Sequence, residues 1–250
     1  MKKISVLVFC VLVCTLSLTA QTTPDPYEIL DALEKAYDYS GQDYSATVTL
    51  IVEKPNSPAE QMQFKLFQRD AQKQFTIIQL LPEADKGSGY LRDGDNMWLY
   101  DPIGRKFSHQ SLKENIGDSD AKTTDIAKEY SYRDDYDATS IESGKVGSYE
   151  VWIITLKAKT ERPAYAKDVY YVRKDVSVLL KQENYNPNDK LMRTVLMPKY
   201  AKMGNKLVPT QTIIRDELNK GEQTQQIVSE ISTSPIPDKV FTKAYLEGLN

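Results

Sequence analysis

From Tyr44 to Ser232 the chain alternates apolar and polar residues in short runs, and that alternation admits few folds. In "YSATVTLIVE", Ala46, Val48, Leu50 and Val52 alternate with Ser45, Thr47 and Thr49. "EQMQFKLFQR" sets Met62, Phe64 and Leu66 on one face, and "QFTIIQLL" does the same for Phe75, Ile77 and Leu81. A repeat of two is the mark of a pleated strand, whose side chains point to opposite faces in turn. Polar turn clusters punctuate the runs: Pro55-Asn56-Ser57-Pro58, Asn186-Pro187-Asn188-Asp189, Met203-Gly204-Asn205 and Asn219-Lys220-Gly221. Connections this short join antiparallel neighbours, so the pattern predicts a mainly β protein, an antiparallel meander of about eleven strands. No shift in composition marks an internal boundary, which predicts one domain over residues 21–250.

Helices are few. Asp25-Pro26-Tyr27-Glu28 predicts a helix start, with Asp25 as the cap and Pro26 at the first helical position. Ile29, Leu30, Leu33, Ala36 and Tyr37 then form one apolar stripe, and Gly41 closes it. A second start follows Ile236-Pro237 at Asp238, with Val240, Phe241, Ala244, Tyr245 and Leu249 as its apolar side. Between Lys113 and Asp137 the alternation gives way to a long polar segment, with a short helix expected near Thr124–Tyr130. Segments of this length inside a compact domain serve as lids or binding loops, or are disordered.

The stretch "KGSGYLRDGDNMWLYDPIGRKFSHQ", Lys86 to Gln110, poses a question of packing. Asp93-Gly94-Asp95-Asn96 and Asp101-Pro102-Ile103-Gly104 read as tight turns. In the strand between them, Trp98 and Tyr100 share one face while Met97 and Leu99 share the other. Both faces are apolar. Ile77 against Ile78 and Leu80, and Val151 and Ile153 against Trp152 and Ile154, repeat the pattern. One such face can pack on a helix; the other meets a second layer, a partner or a ligand. A closed barrel with core on both faces and a curved sheet around an apolar pocket satisfy the pattern equally.

Residues for catalysis are scarce. His109 is the sole histidine, flanked by Ser108 and Ser111, and a Ser–His–acid lipid hydrolase would have to use it. The chain has no G-x-S-x-G elbow, and Gly87-Ser88-Gly89 is too short to form one. A surface histidine is the simpler reading. Cys10 and Cys14 both fall within the first twenty residues, so the remaining chain offers no thiol, disulfide or cysteine–histidine metal set. Asp93-Gly94-Asp95-Asn96 lacks calcium-loop spacing, and no glycine-rich phosphate loop is present. The reading is a protein that is not an enzyme and carries no cofactor or metal.

Met1-Lys2-Lys3, the apolar run Ile4 to Leu18 and the small Ala20 before Gln21 read as a secretory signal over residues 1–20. Without Lys2 and Lys3, 30 basic residues stand against 35 acidic ones, an acidic balance that argues against nucleic acid as a partner. Export follows. Val11-Leu12-Val13-Cys14 also has the outline of a lipoprotein cleavage box, though Val13 is bulky for it; cleavage there would leave an acylated Cys14 and a protein anchored in the envelope.

"GDNMWLYDP", Gly94 to Pro102, together with the upstream "LLPEADKGSGYL", resembles the outer-membrane lipoprotein-sorting carriers, the LolA-like family. The shared features are a Trp-x-Tyr strand after a glycine-led turn, followed by an Asx-Pro turn. The likeness extends to the leading helix before "DYSATVTLIVE", the hairpin "YNPNDKLMRTVLMPKY" and the closing "IPDKVFTKAYL", and so covers most of Asp25 to Leu249. It is nearest to the sorting-protein-like subgroup with a longer second half. Where that subgroup has a Gly-Ser-Asp-Phe element, this chain departs from it with Gly117-Asp118-Ser119-Asp120.

The resemblance implies an unclosed antiparallel β-barrel capped by an N-terminal helix, a mid-chain lid segment and a C-terminal helix. It implies an apolar concavity that takes the acyl chains of lipoproteins or phospholipids. It also implies a monomer that exchanges cargo with inner-membrane release machinery and an outer-membrane acceptor. The cavity candidates are Phe64, Leu66, Phe75, Ile77, Trp98 and Tyr100, each of which could equally be ordinary core. Arg69 matches a family arginine that latches the lid, or is an exposed charge at a strand end. A lipid-binding sensor or interaction module of the same fold, which binds without handing over, is the alternative to a carrier.

Overall fold

The computed structural model describes residues 23–126, 131–204 and 206–249. The expected signal, Cys14 and the later part of the helix expected near Thr124–Tyr130 lie outside the described residues. The strands are β1 (Tyr44–Glu53), β2 (Glu60–Arg69), β3 (Gln74–Leu81), β4 (Gly89–Asp93), β5 (Asn96–Asp101) and β6 (Lys106–His109). Then come β7 (Tyr136–Val146), β8 (Tyr149–Ala158), β9 (Lys167–Arg173), β10 (Leu179–Tyr185), β11 (Leu191–Met203), β12 (Lys206–Asp216) and β13 (Gln223–Ser232). All thirteen belong to one sheet in the order β6-β5-β4-β3-β2-β1-β13-β12-β11-β10-β9-β8-β7. Every pairing is antiparallel, and β6 and β7 are edges that do not pair with each other. The barrel is therefore unclosed, as expected. The segment joining β6 to β7 in sequence runs from one edge of the sheet to the other.

The strand count exceeds the expected eleven by β6 and β7, and both are edges. β6 has only four residues, and β7, "YDATSIESGKV", is mostly polar on both faces. An edge strand is buried on fewer sides, so its sequence carries little alternation to read.

Helix α1 (Pro26–Ala36) forms where its signals put it, with the Asp25 carboxylate accepting from the Tyr27 amide at 3.0 Å. Leu30 and Leu33 are fully buried against Tyr132, Tyr136, Ile154, Leu156 and Tyr170, so α1 closes the inner face over β7 to β10. Each such leucine stabilises the packing by about 1.5–3 kcal/mol. The C-terminal signal resolves into two short pieces, a 3-10 turn (Asp238–Phe241) and α4 (Lys243–Glu247). Thr242 stands between them in an extended conformation, and its hydroxyl caps α4 by accepting from the Tyr245 amide.

The strands apolar on both faces are covered on both. On the inner face Phe64, Leu66, Phe75, Ile77 and Met97 join Tyr44 to Leu50 of β1 in one cluster. On the outer face Ile78, Leu91 and Tyr100 pack against Leu246 of α4, with Trp98, Phe107 and Tyr245 around them. The Thr76 hydroxyl donates to the Val240 carbonyl at 2.8 Å and fixes the C-terminal segment there. On β8 the same division places Ile154 and Leu156 inward under α1, and Val151 and Ile153 in a separate outer cluster with Val178 and Leu180.

Candidate functional site

Between α1 and the β6–β7 connection the inner face is left uncovered, and a cavity of about 520 Å³ opens there. Its floor is apolar: Val48 and Leu66 from β1 and β2, Val195 and Met197 from β11, Ile214 from β12 and Val228 from β13. Tyrosines ring it, among them Tyr37, Tyr44, Tyr132 and Tyr170. Exposed Asp38, Ser40 and Lys73 stand at its opening. The volume lies within the range of about 300–1,000 Å³ common to small-molecule sites, and Gln68, Asp70, Arg92, Asp168, Gln182 and Arg193 share the lining with the apolar residues.

The β6–β7 connection covers one end of this space. Leu112, Ile116 and Ala121 insert into the inner apolar cluster and are almost wholly buried. Its polar groups are met by the sheet. The Asp120 amide donates to Thr224 Oγ1 at 2.9 Å, and that hydroxyl donates to the Asp120 carboxylate at 2.8 Å. The Gly117 amide donates to the Tyr90 hydroxyl at 3.2 Å. A polar sequence thus becomes an ordered lid, because three apolar pegs suffice to seat it. A single helical turn, α2 (Thr123–Ile126), follows the pegs, and a second, α3 (Tyr132–Asp135), leads into β7.

The lid is held by Arg193. Its guanidinium donates from Nη2 and Nη1 to the two carboxylate oxygens of Asp125, at 2.7 and 3.0 Å, and from Nη1 to the Asp120 carbonyl at 3.2 Å. Nε donates to Asn184 Oδ1 at 2.8 Å, and Asn184 Nδ2 donates to Asp168 Oδ1 at 2.5 Å. The Tyr136 hydroxyl completes the chain, donating to Asp168 Oδ2 at 2.6 Å. Asp168 is 2 % exposed, and burial pushes its carboxyl up to about 6 despite both hydrogen bonds. Burial works against the Arg193 charge too, but Asp125, with Tyr165 and Asp168 behind it, together outweigh it and the guanidinium pKa is raised.

The structure divides the six residues expected to line a cavity. Leu66 lines the main cavity. Phe64 and Ile77 border, with Leu66 and Val48, an adjoining void of about 10 Å³ beneath Ile116. Phe75 belongs to the same inner cluster and is 1 % exposed. Trp98 and Tyr100 lie on the opposite face, under the C-terminal segment, with the Lys243 ammonium 4.2 Å from the Trp98 ring centre. Register explains the division: β4 pairs Leu91 with Trp98 and Tyr90 with Leu99, so Trp98 follows Leu91 outward while Met97 points in.

Arg69 also takes a different place from the one expected. It donates to both oxygens of Asp43 at 2.8 and 3.0 Å, to Asp238 at 2.7 Å and to the Ile236 carbonyl at 2.5 Å. It fastens the C-terminal segment, whereas Arg193 fastens the lid. The residues that sequence reasoning missed, Arg193 and Asp168, carried a signal nonetheless. Each is a charge in the inward register of a strand, Arg193 in step with Val195 and Met197, Asp168 in step with Tyr170 and Val172. His109 is exposed on edge strand β6, edge-on to Trp98 at 6.1 Å, away from the cavity lining.

A protein-family model described as "Uncharacterized protein" matches residues 71–248. No curated protein matches the chain. Among solved structures, a LolA superfamily protein from Nitrosomonas europaea superposes with a TM-score of 0.76 at 18% identity, over 89% of this chain and 100% of that one. A putative outer membrane lipoprotein-sorting protein domain from Vibrio parahaemolyticus gives 0.77 at 18% identity, over 88% and 97%. A DUF1329 family protein from Desulfovibrio piger gives 0.77 at 20% identity over the same shares. By its match over most of its length the chain belongs to the family of that model, and its fold is the LolA-like fold of the lipoprotein-sorting proteins.

Proposed function

We propose that this protein is a periplasmic carrier that shields acyl chains of lipoproteins or lipids in the cavity for transfer toward the outer membrane. The observation that carries this reading is the apolar floor of a cavity of about 520 Å³, set between α1 and a latched lid. The likeness of fold to a putative lipoprotein-sorting domain supports it. So does the energetics. Burying a methylene is worth about 0.8 kcal/mol, so a chain of about 14 methylenes left in water costs on the order of 11 kcal/mol. A soluble carrier must offset that cost and still release its cargo. A cavity that remains open at Asp38, Ser40 and Lys73 suits both demands. No covalent step is needed, and the carrier takes its cargo from a release machinery at the inner membrane and gives it to an acceptor at the outer one.

Native mass spectrometry of the purified protein should find copurified lipid, and labelled lipid should pass from the loaded protein to acceptor vesicles. Binding without passage would favour a sensor of the same fold. Ester cleavage lost in His109→Ala would favour a hydrolase.

A further inference from the structure

The polar lining of the cavity falls into two sets. Its charged groups are committed to protein partners. Arg193, Asp125 and Asp168 are bonded within the latch, Asp168 through Asn184. Arg92 donates from Nε to the Gly94 carbonyl at 2.8 Å, and Asp70 accepts from Gln68 Nε2 at 2.5 Å. Lys73 pairs with Asp95 at 3.1 Å, Asp38 accepts from the Ser40 amide at 2.8 Å, and Glu34 is not free either. The neutral groups differ. The carboxamides of Gln182 and Gln226 and the hydroxyl of Thr212 line the cavity, and none of the three hydrogen-bonds with another described residue. The Tyr39 hydroxyl, between Asp38 and Ser40 in the chain, is buried without a partner.

We infer, on the basis of the acyl-binding reading, that Gln182, Gln226 and Thr212 form a hydrogen-bonding band across the cavity floor. The band selects lipids that carry a neutral ester or amide linkage over unbroken hydrocarbon chains. Placement is the first argument. Gln226 of β13 stands opposite Thr212 of β12 in register. Gln182 of β10 stands opposite Val195 of β11, and Val195 opposite Ile214, the next inward position after Thr212 on β12. Neighbouring strands lie about 4.8 Å apart, so β10 to β13 spans about 14 Å of floor. Val195 and Ile214 separate Gln182 from the other two. A lipid lying across this floor meets carboxamides and a hydroxyl set among apolar side chains.

Hydrogen bonding is the second argument. An unbroken chain laid on the band strips water from two carboxamides and a hydroxyl and returns no bond, which is costly. An ester returns an acceptor, and a secondary amide returns an acceptor and a donor. Sites built this way reject a ligand that lacks the matching group, because their own groups are then left unpaired. A free carboxylate is no match for the band. The cations of the lining, Arg92, Arg193 and Lys73, already hold protein acceptors, and Asp70, Asp125 and Asp168 share the same walls. Such a headgroup stays in water at the opening, beside exposed Asp38, Ser40 and Lys73.

The test uses three acids of equal length and headgroup on delipidated protein at neutral pH: heptadecanoic acid, N-octanoyl-8-aminooctanoic acid and 8-(octanoyloxy)octanoic acid. Affinities come from displacement of a fluorescent acyl probe. A merely apolar cavity ranks heptadecanoic acid first, since its chain has no polar atom to strip of water. The band reverses that order. Wild type should bind the amide or the ester acid at least fivefold more tightly than heptadecanoic acid, and whichever ranks first identifies the linkage. Gln182→Leu, Gln226→Leu and Thr212→Val should each lower that preference about fivefold, the worth of one neutral hydrogen bond. Circular dichroism confirms that each variant is folded, and the wild-type ranking needs no variant. Wild-type binding of heptadecanoic acid as tightly as both linked acids, or more tightly, would overturn the inference and leave the carrier reading standing. A preference unchanged in every folded variant would overturn the band. Uptake of none of the three acids by folded wild type would overturn both readings together.

Discussion

Arg193 of β11 and Asp125 of the lid meet through two hydrogen bonds, 2.7 Å from Nη2 and 3.0 Å from Nη1, and the arginine side chain is 7 % exposed. A guanidinium so placed is stable only while its partners surround it. Replacing it with a neutral side chain should cost about 3 kcal/mol, the usual penalty for breaking a largely buried pair. Arg193→Met is expected to lower the urea midpoint and to raise amide exchange in residues 112–125 more than elsewhere. Uniform exchange across the chain would show that Arg193 supports the sheet and not the lid.

Asp168 makes stability depend on pH in an unusual direction. Its carboxyl titrates at about 6 in the folded protein, above the ordinary value of about 4 for an unfolded aspartate. The folded state therefore holds the proton more tightly. The contribution is fully present below pH ~4, falls as pH rises toward ~6, and stays lost above that. Two pH units correspond to about 3 kcal/mol at most. Asp43, Asp135 and Glu183 are shifted downward and act with the opposite sign, so the difference between wild type and Asp168→Asn is what isolates this group. Urea melts at pH 4.5 and 7.5 should show the variant gaining relative to wild type at the higher pH.

Arg69→Ala should release the C-terminal segment. Its bonds to Asp43, Asp238 and the Ile236 carbonyl are charge-assisted, and one such bond contributes about 2 kcal/mol. With Leu246 withdrawn from Tyr100 and Lys243 from Trp98, the indole meets water. In a Trp152→Phe background, Trp98 emission should move to longer wavelength. An unchanged spectrum would mean the segment is held by Thr76 and Phe241 without the arginine.

Substitutions on the two faces of the sheet should have unlike effects. Leu66→Glu puts a carboxylate on the cavity floor and should weaken acyl-probe binding more than tenfold, since an unpaired charge in an apolar site is costly. Phe75→Glu, at a site 1 % exposed, should instead prevent folding. Trp98→Phe lies on the far face and should leave probe affinity unchanged. Loss of binding in a folded Trp98→Phe protein would place the ligand under α4.

Much of the fold could be read from local chemistry. Asp25 and Pro26 announced α1, and Asp93 to Asn96 turned β4 into β5, because caps and tight turns are decided by a few adjacent residues. The site was harder. A repeat of two tells which residues share a face and not which face is inward. The pattern therefore groups Trp98 with Phe75, although β3 and β5 send them to opposite sides. The lid latch joins residues 68 positions apart, a pairing that no local pattern contains. The polar lid itself concealed its three pegs, spaced too irregularly to register as either helix or strand.

The lid stands in the sequence between the two edge strands, β6 before it and β7 after it, and so is covalently continuous with both. It behaves as a strap across a split ring. Prying the ring wider draws slack out of the strap, and slackening the strap lets the ring widen. A bulky cargo and a loosened latch would then act on one mechanical coordinate, and neither needs to unzip a single pair of strands.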